Sequence, residues 1–163
     1  MPDPTTTHPA LSQRALDVSL RPYDAKDEDA AIALWLRTWQ VAYPRLDFAA
    51  RVDWWRERWR KELVTSADIV VAEIGSEMAG FVTVDPQTGY LDQIVVAPEH
   101  WVAGVGGALI AVAKALAPAG LELDVNTDNA RAIRFYHKQG FSITGDGVNP
   151  LSGKPVHRMR WVP

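Results

Sequence analysis

The stretch from Tyr90 to Ala117, YLDQIVVAPEHWVAGVGGALIAVAKALA, constrains the chain more than any other. Leu91 to Val96 is a short apolar run rich in β-branched residues, the pattern of a buried strand. Pro98 ends it, because proline cannot donate to a ladder. Gly104, Gly106 and Gly107 follow as a glycine loop. From Ala108 to Ala117 strong helix formers fill most positions, and Pro118 stops them. A glycine loop between strand and helix leaves bare backbone N–H groups converging at the positive end of a helix dipole. That is a cradle for phosphate.

A length of 163 residues suits one domain with a sizeable core. The first 17 residues are rich in Pro, Thr and Ser and read as a flexible tail, which leaves residues 18–163 as the domain. The net charge of −3 offers no general attraction for nucleic acid or an anionic membrane. With no cysteine there is neither a disulfide nor a thiol nucleophile. No apolar run reaches the roughly 18 residues of a membrane span, and the start lacks the layout of a signal peptide. A cytoplasmic protein is therefore expected. Four histidines are scattered without metal spacing, so no metal is expected.

Around the central stretch the pattern is mixed. Val18 to Arg21 reads as a strand closed by Pro22. Asp24 can cap a helix that runs to about Ala42 and breaks at Tyr43-Pro44. A second helix is expected from about Phe48 to Leu63, with Trp55 and Trp59 four apart on one face. Ile69 to Ile74 and Ala79 to Val84 read as a hairpin. After the glycine helix come a strand from Leu121 to Val125 and a helix from about Ala130 to Gln139. Asp128 or Thr127 is the expected cap of that helix, and Gly140 its terminator. Phe141 to Thr144 and Val156 to Val162 read as the last strands, separated by a loop from Gly145 to Pro155. The order describes a mixed α/β fold of about seven strands and four helices, not the strict alternation of a doubly wound sheet.

Two motifs stand in this order. The first is Trp101-Val102-Ala103-Gly104-Val105-Gly106-Gly107 after the strand. It fails the dinucleotide fingerprint, since Leu109 stands three after Gly106, and it lacks the Gly-Lys-Ser/Thr of a P-loop. The second is Asn129-Ala130-Arg131-Ala132-Ile133-Arg134-Phe135-Tyr136-His137-Lys138-Gln139-Gly140-Phe141. Together they resemble the GNAT superfamily of acetyl-CoA-dependent N-acetyltransferases, over nearly the whole of residues 18–162. The family's first motif opens with Gln or Arg. Trp101 stands there instead, so the loop carries no cationic side chain for a pyrophosphate. Lys114, Arg131, Arg134 and Lys138 are the candidates to replace it.

The resemblance implies a twisted mixed sheet that splays between its fourth and fifth strands. It places acetyl-CoA as co-substrate there, its arm paired with the backbone of Ile94 and Val96. The pyrophosphate is expected on N–H groups of Val102, Ala103, Gly104, Val105, Gly106 and Gly107. Val95 or Val96 would donate an N–H to the developing oxyanion. Tyr136 matches the family's general acid, and Asn129 its cofactor-binding asparagine. Asp92 is the candidate general base, expected on the same strand face as Ile94 and Val96. Trp35, Trp39, Tyr43 and Asn149 are candidates for the acceptor pocket. Each residue also has a plainer reading: Tyr136 as a core aromatic, Asn129 as a helix cap, Asp92 as a solvated carboxylate, the tryptophans as packing.

The activity implied is transfer of an acetyl group from acetyl-CoA to a primary amine by direct attack in a ternary complex. The amine is a small molecule or an amine of a peptide or protein. No nucleic-acid or membrane partner is expected, and family members are often homodimers. The alternatives are a non-catalytic acyl-CoA-binding sensor or interaction module, or a generic α/β nucleotide binder.

Overall fold

A computed structural model describes residues 17–150 and 152–163. The tail expected over residues 1–17 lies outside this range except for Asp17. Seven strands form two sheets among the described residues. Strands β1 (Ser19–Pro22), β2 (Asp68–Ile74), β3 (Glu77–Val84) and β4 (Leu91–Val96) make an antiparallel sheet in that order. Strands β5 (Leu121–Asn126), β6 (Ser142–Val148) and β7 (Pro155–Trp161) make the second, with β7 in the middle.

Helix α1 (Glu28–Ala42) and helix α2 (Val52–Arg58), with its continuation, cover one face of the first sheet. Helix α3 (Val105–Leu116) and helix α4 (Ala130–Lys138) pack on the other face and on the second sheet. Each layer has its own core. Trp35, Trp55, Trp59, Phe81 and Val95 belong to the α1–α2 side. Val82, Val84, Leu109, Leu123, Tyr136 and Met159 belong to the α3–α4 side. The alternation of side chains across β3 and β4 feeds both.

Several expected boundaries move, each for a local reason. Pro22 ends β1 as its last residue rather than following it, because β1 is an edge strand and the missing N–H costs no ladder bond. The second helix is not uniform. A 3₁₀ turn (Ala49–Arg51) leads into α2, which widens into a π-helical turn (Trp59–Leu63) and ends at Val64–Ser66. Trp55, Trp59 and Leu63 are all buried along this stretch. Helix α3 begins at Val105, three residues earlier than expected. Gly104 alone is the turn glycine, at φ +84°, and Gly106 and Gly107 lie in the first helical turn. The cap of α4 is Asn129, not Asp128 or Thr127: its side chain accepts from the Ala132 N–H at 3.2 Å. Gly140 follows α4 at φ +92°, as a terminating glycine does. Finally, β6 continues through Gly145 and Gly147 to Val148, drawn out by its pairing with β7.

Among the described residues the two sheets pair at one β-bridge. Tyr90 and Glu122 form a single parallel bridge, and the Glu122 N–H donates to the Gly89 carbonyl at 2.9 Å. Beyond it β4 and β5 part. This is the splay expected between the fourth and fifth strands.

Candidate active site

The free edge of β4 follows from its ladder. The Ala97 N–H donates to the Ala79 carbonyl at 2.8 Å, so those two residues form a hydrogen-bonded pair. Hydrogen-bonded and non-hydrogen-bonded pairs alternate along antiparallel strands. Val96, opposite Gly80, and Ile94, opposite Val82, therefore turn their N–H and carbonyl groups away from β3 and into the splay. Val95, opposite Phe81, spends its backbone groups on β3. Of Val95 and Val96, only Val96 presents an N–H to the gap.

One of these edge groups has a partner. The Trp101 indole N–H donates to the Val96 carbonyl at 2.9 Å. The other side of that ring carries the Arg131 guanidinium, 3.6 Å from the ring centroid. Burial strips water from the guanidinium and lowers its pKa. Arg131 thus stands over the loop that leads into α3. Lys114 is drawn elsewhere: its ammonium donates to the Gln139 carbonyl at 2.6 Å and lies over the Trp161 ring. Arg134 and Lys138 are exposed on α4.

The start of α3 is open. Gly104 provides no side-chain cap, and a Cβ there would meet nothing within 4 Å. Val102 beside it is fully exposed. The first N–H groups of a helix have no intrahelical acceptor, so those from Val105 onward point outward with the positive end of the dipole. Gly106 serves a second purpose: a Cβ there would lie 3.0 Å from the Phe135 ring, so its absence lets α3 and α4 approach. A backbone edge, uncapped N–H groups and an adjacent cation suit an extended arm ending in a pyrophosphate.

Tyr136 sits in the same core as Ile94 and Val96, beside Phe135 and Phe141 with ring centroids 5.4 and 5.7 Å away. Burial raises its phenol well above the ordinary value, with Arg131 opposing slightly. It therefore stays protonated throughout the neutral range and can donate.

Asp92 is on the other face. The β3–β4 register shifts between Thr83 and Val84, so Gln93 pairs with Thr83, Leu91 with Val84, and Asp92 is the unpaired extra residue. The expected common face with Ile94 and Val96 is lost there. Asp92 instead meets Arg58 of α2 in a two-pronged contact at 2.9 and 2.5 Å, and accepts from the Gln93 side chain at 3.0 Å. Arg58 also pairs with Glu62 and covers the Trp55 ring. A carboxylate engaged this way clamps α2 to β4. Arg58 lies 34 positions from Asp92, and nothing local in the sequence announces the pair.

The acceptor-pocket candidates separate. Trp35 is 5% exposed and stacks on Trp55 at 4.7 Å, so it belongs to the core. Trp39 is partly buried and stacks on Tyr43 at 5.8 Å. Tyr43 reaches across to the second sheet. Its hydroxyl donates to Asp128 at 2.8 Å and accepts from the Asn126 amide at 3.1 Å, while Lys154 lies over its ring and pairs with Asp128. Asn149 shapes the β6–β7 turn: its N–H donates to the Lys154 carbonyl and its side chain accepts from the Ser152 N–H. That turn delivers Lys154. Asn126, Asp128 and Lys154 escape a sequence reading, because their common partner Tyr43 lies more than 80 positions from the first two. Among the described residues no group of three His, Cys, Asp or Glu can hold a metal ion, and no helix is long and apolar enough to cross a membrane.

Known proteins share this fold. The peptidyl-lysine N-acetyltransferase YjaB of Salmonella typhimurium is 29% identical over 139 residues, covering 85% of this chain and 92% of that protein. The solution structure of apo YjaB from Escherichia coli superposes with a TM-score of 0.73 at 26% identity, covering 90% of this chain and 98% of that one. The PaiA N-acetyltransferase of Thermoplasma acidophilum, solved with coenzyme A, has the same fold. Its TM-score is 0.73 at 18% identity, covering 90% of this chain and 99% of that one. The family model described as acetyltransferase (GNAT) family matches residues 28–141, from the first turn of α1 to the phenylalanine after α4. The chain belongs to the GNAT family of acetyltransferases, enzymes that move an acetyl group from acetyl-CoA to an amine.

Proposed function

We propose that this enzyme acetylates lysine side chains of peptides or proteins, by direct attack of the amine on acetyl-CoA held in the β4–β5 splay. The observation that carries the reading is the free edge of β4, with Ile94 and Val96 facing the gap beside the uncapped start of α3 and next to Tyr136. The lysine acceptor is supported by the similarity to the YjaB enzymes, which carry that activity in their name.

In this reading the neutral amine attacks the thioester carbonyl while the Val96 N–H faces the developing oxyanion. The C–S bond then breaks, and the Tyr136 hydroxyl gives its proton to the departing sulfur. Asn129 caps α4 with its side-chain oxygen and keeps its NH₂ for the cofactor arm. The amine's proton leaves to water, because both oxygens of Asp92 are held by Arg58. With no cysteine in the chain, no acetyl-cysteine intermediate forms. Trp39 and Tyr43 border the acceptor side, where the α1–α2 connection faces the β6–β7 turn.

Free-thiol release from acetyl-CoA, measured over a panel of lysine peptides and small amines, tests this. Peptides with an internal lysine should be the better substrates. Turnover confined to small amines would remove the lysine assignment, and CoA binding without turnover on any amine would make the protein a sensor module. Tyr136→Phe should lower kcat by about 10²–10⁴-fold with little change in acetyl-CoA affinity; undiminished turnover rejects the general-acid role.

A further inference from the structure

A pyrophosphate carries at least two negative charges. The dipole of one helix end is equivalent to only about half a positive charge. The loop from Trp101 to Gly107 contributes no charged side chain of its own. The second cation must therefore come from elsewhere in the fold, and most nearby cations are committed. Arg58 is held by Asp92 and Glu62, Lys154 by Asp128, and Arg158 by Asp124 and Glu122. Lys114 is turned to the end of α4.

Arg131 differs from all of these. Its guanidinium meets no carboxylate among the described residues and rests on the Trp101 face at 3.6 Å. The indole is itself fixed, because its N–H is bonded to the Val96 carbonyl. A ring pinned along one edge to β4 and covered by a cation from α4 is a platform. It spans the mouth of the splay on the loop that leads to the uncapped helix start, and among the described residues the guanidinium spends no hydrogen bond. Guanidinium on an aromatic face keeps its charge and its geometry for a phosphate.

We propose that Arg131, carried on Trp101, is the side chain that grips the pyrophosphate of acetyl-CoA. The assignment rests on acetyl-CoA being the substrate of this site. It gives Trp101 the task of a platform, and it makes phosphate recognition depend on a residue from α4 rather than on the glycine turn alone.

Arg131 is exposed at the start of α4, so its truncation removes no core contact. The test is calorimetric titration of CoA into the wild type and into Arg131→Ala, Arg131→Gln and Arg131→Lys, at 50 and 500 mM NaCl. At 50 mM, Ala and Gln should weaken binding about tenfold, as loss of a charge-assisted hydrogen bond does. Lys should recover to within about threefold of wild type, because it restores the charge without the fork. At 500 mM the gap between wild type and Gln should narrow to about twofold, as screening falls well inside a 10 Å length. Arg131→Gln binding CoA like the wild type overturns the proposal. So does an equal loss at both salts with Lys no better than Ala, which marks a structural role. A wild type that does not bind CoA at either salt overturns the acetyl-CoA reading itself, and the clamp with it.

Discussion

Both Asp92 oxygens are held by Arg58, whereas the Tyr136 phenol stands among aromatic rings, and the two are suited to opposite tasks. Arg58 and Gln93 engage both Asp92 oxygens. Asp92→Asn would leave the half-buried Arg58 short of its partner. We expect a loss of about 1–3 kcal/mol of stability in urea unfolding, the usual cost of stranding a charged hydrogen-bonding group. The same variant should keep kcat within tenfold of wild type; a fall of 10² or more would restore Asp92 as the base. The placement of Tyr136 on a helix was legible because its motif is local, twelve residues from the capping Asn129 to Gly140. The role of Asp92 was not. One extra residue in the β3–β4 register turns it to the opposite face, and register depends on the partner strand, which periodicity in one segment does not reveal.

At the scale of elements, β4 was readable to the residue, and α3 from its fourth residue onward. Glycine in a helix costs about 1 kcal/mol, which argues for placing Gly106 and Gly107 in a loop. The helix takes them in because Gly106 faces the Phe135 ring from 29 positions away, and that contact has no local signature. The two glycines therefore respond differently to a methyl group. Gly106→Ala puts a Cβ about 3.0 Å from Phe135 and should destabilise by about 1–3 kcal/mol. Pairing it with Phe135→Leu should return part of that loss. Gly107→Ala meets nothing closer than 3.8 Å and should be neutral or stabilise by up to about 1 kcal/mol through helix propensity. Thermal melts of the three variants check the order. Equal losses at 106 and 107 would mean that α3–α4 packing does not depend on the missing Cβ.

Across the whole molecule, two sheets joined by one bridge must be held at a fixed opening. The element order predicts that a splay exists, but not what spans it, because every spanning contact is long-range. Two do so at the mouth: Arg131 on Trp101, and Tyr43 on Asp128 and Asn126. Tyr43 offers a pH-dependent handle on this closure. Burial, and donation to the Asp128 carboxylate, push its phenol up to about 12 from an ordinary 10. A raised folded-state pKa means that the folded chain keeps the proton after the unfolded chain has begun to lose it. The contribution of Tyr43 is therefore fully present below pH 10 and is lost as pH rises through about 12. Buried tyrosines elsewhere respond in the same direction, so the comparison must be with Tyr43→Phe, which shares them. The wild type should be the more stable of the two at pH 8. Urea midpoints should converge between pH 10 and 12 as the phenolate forms beside Asp128. A gap that stays constant across that range would show that the Tyr43 hydroxyl does not tie the two halves together.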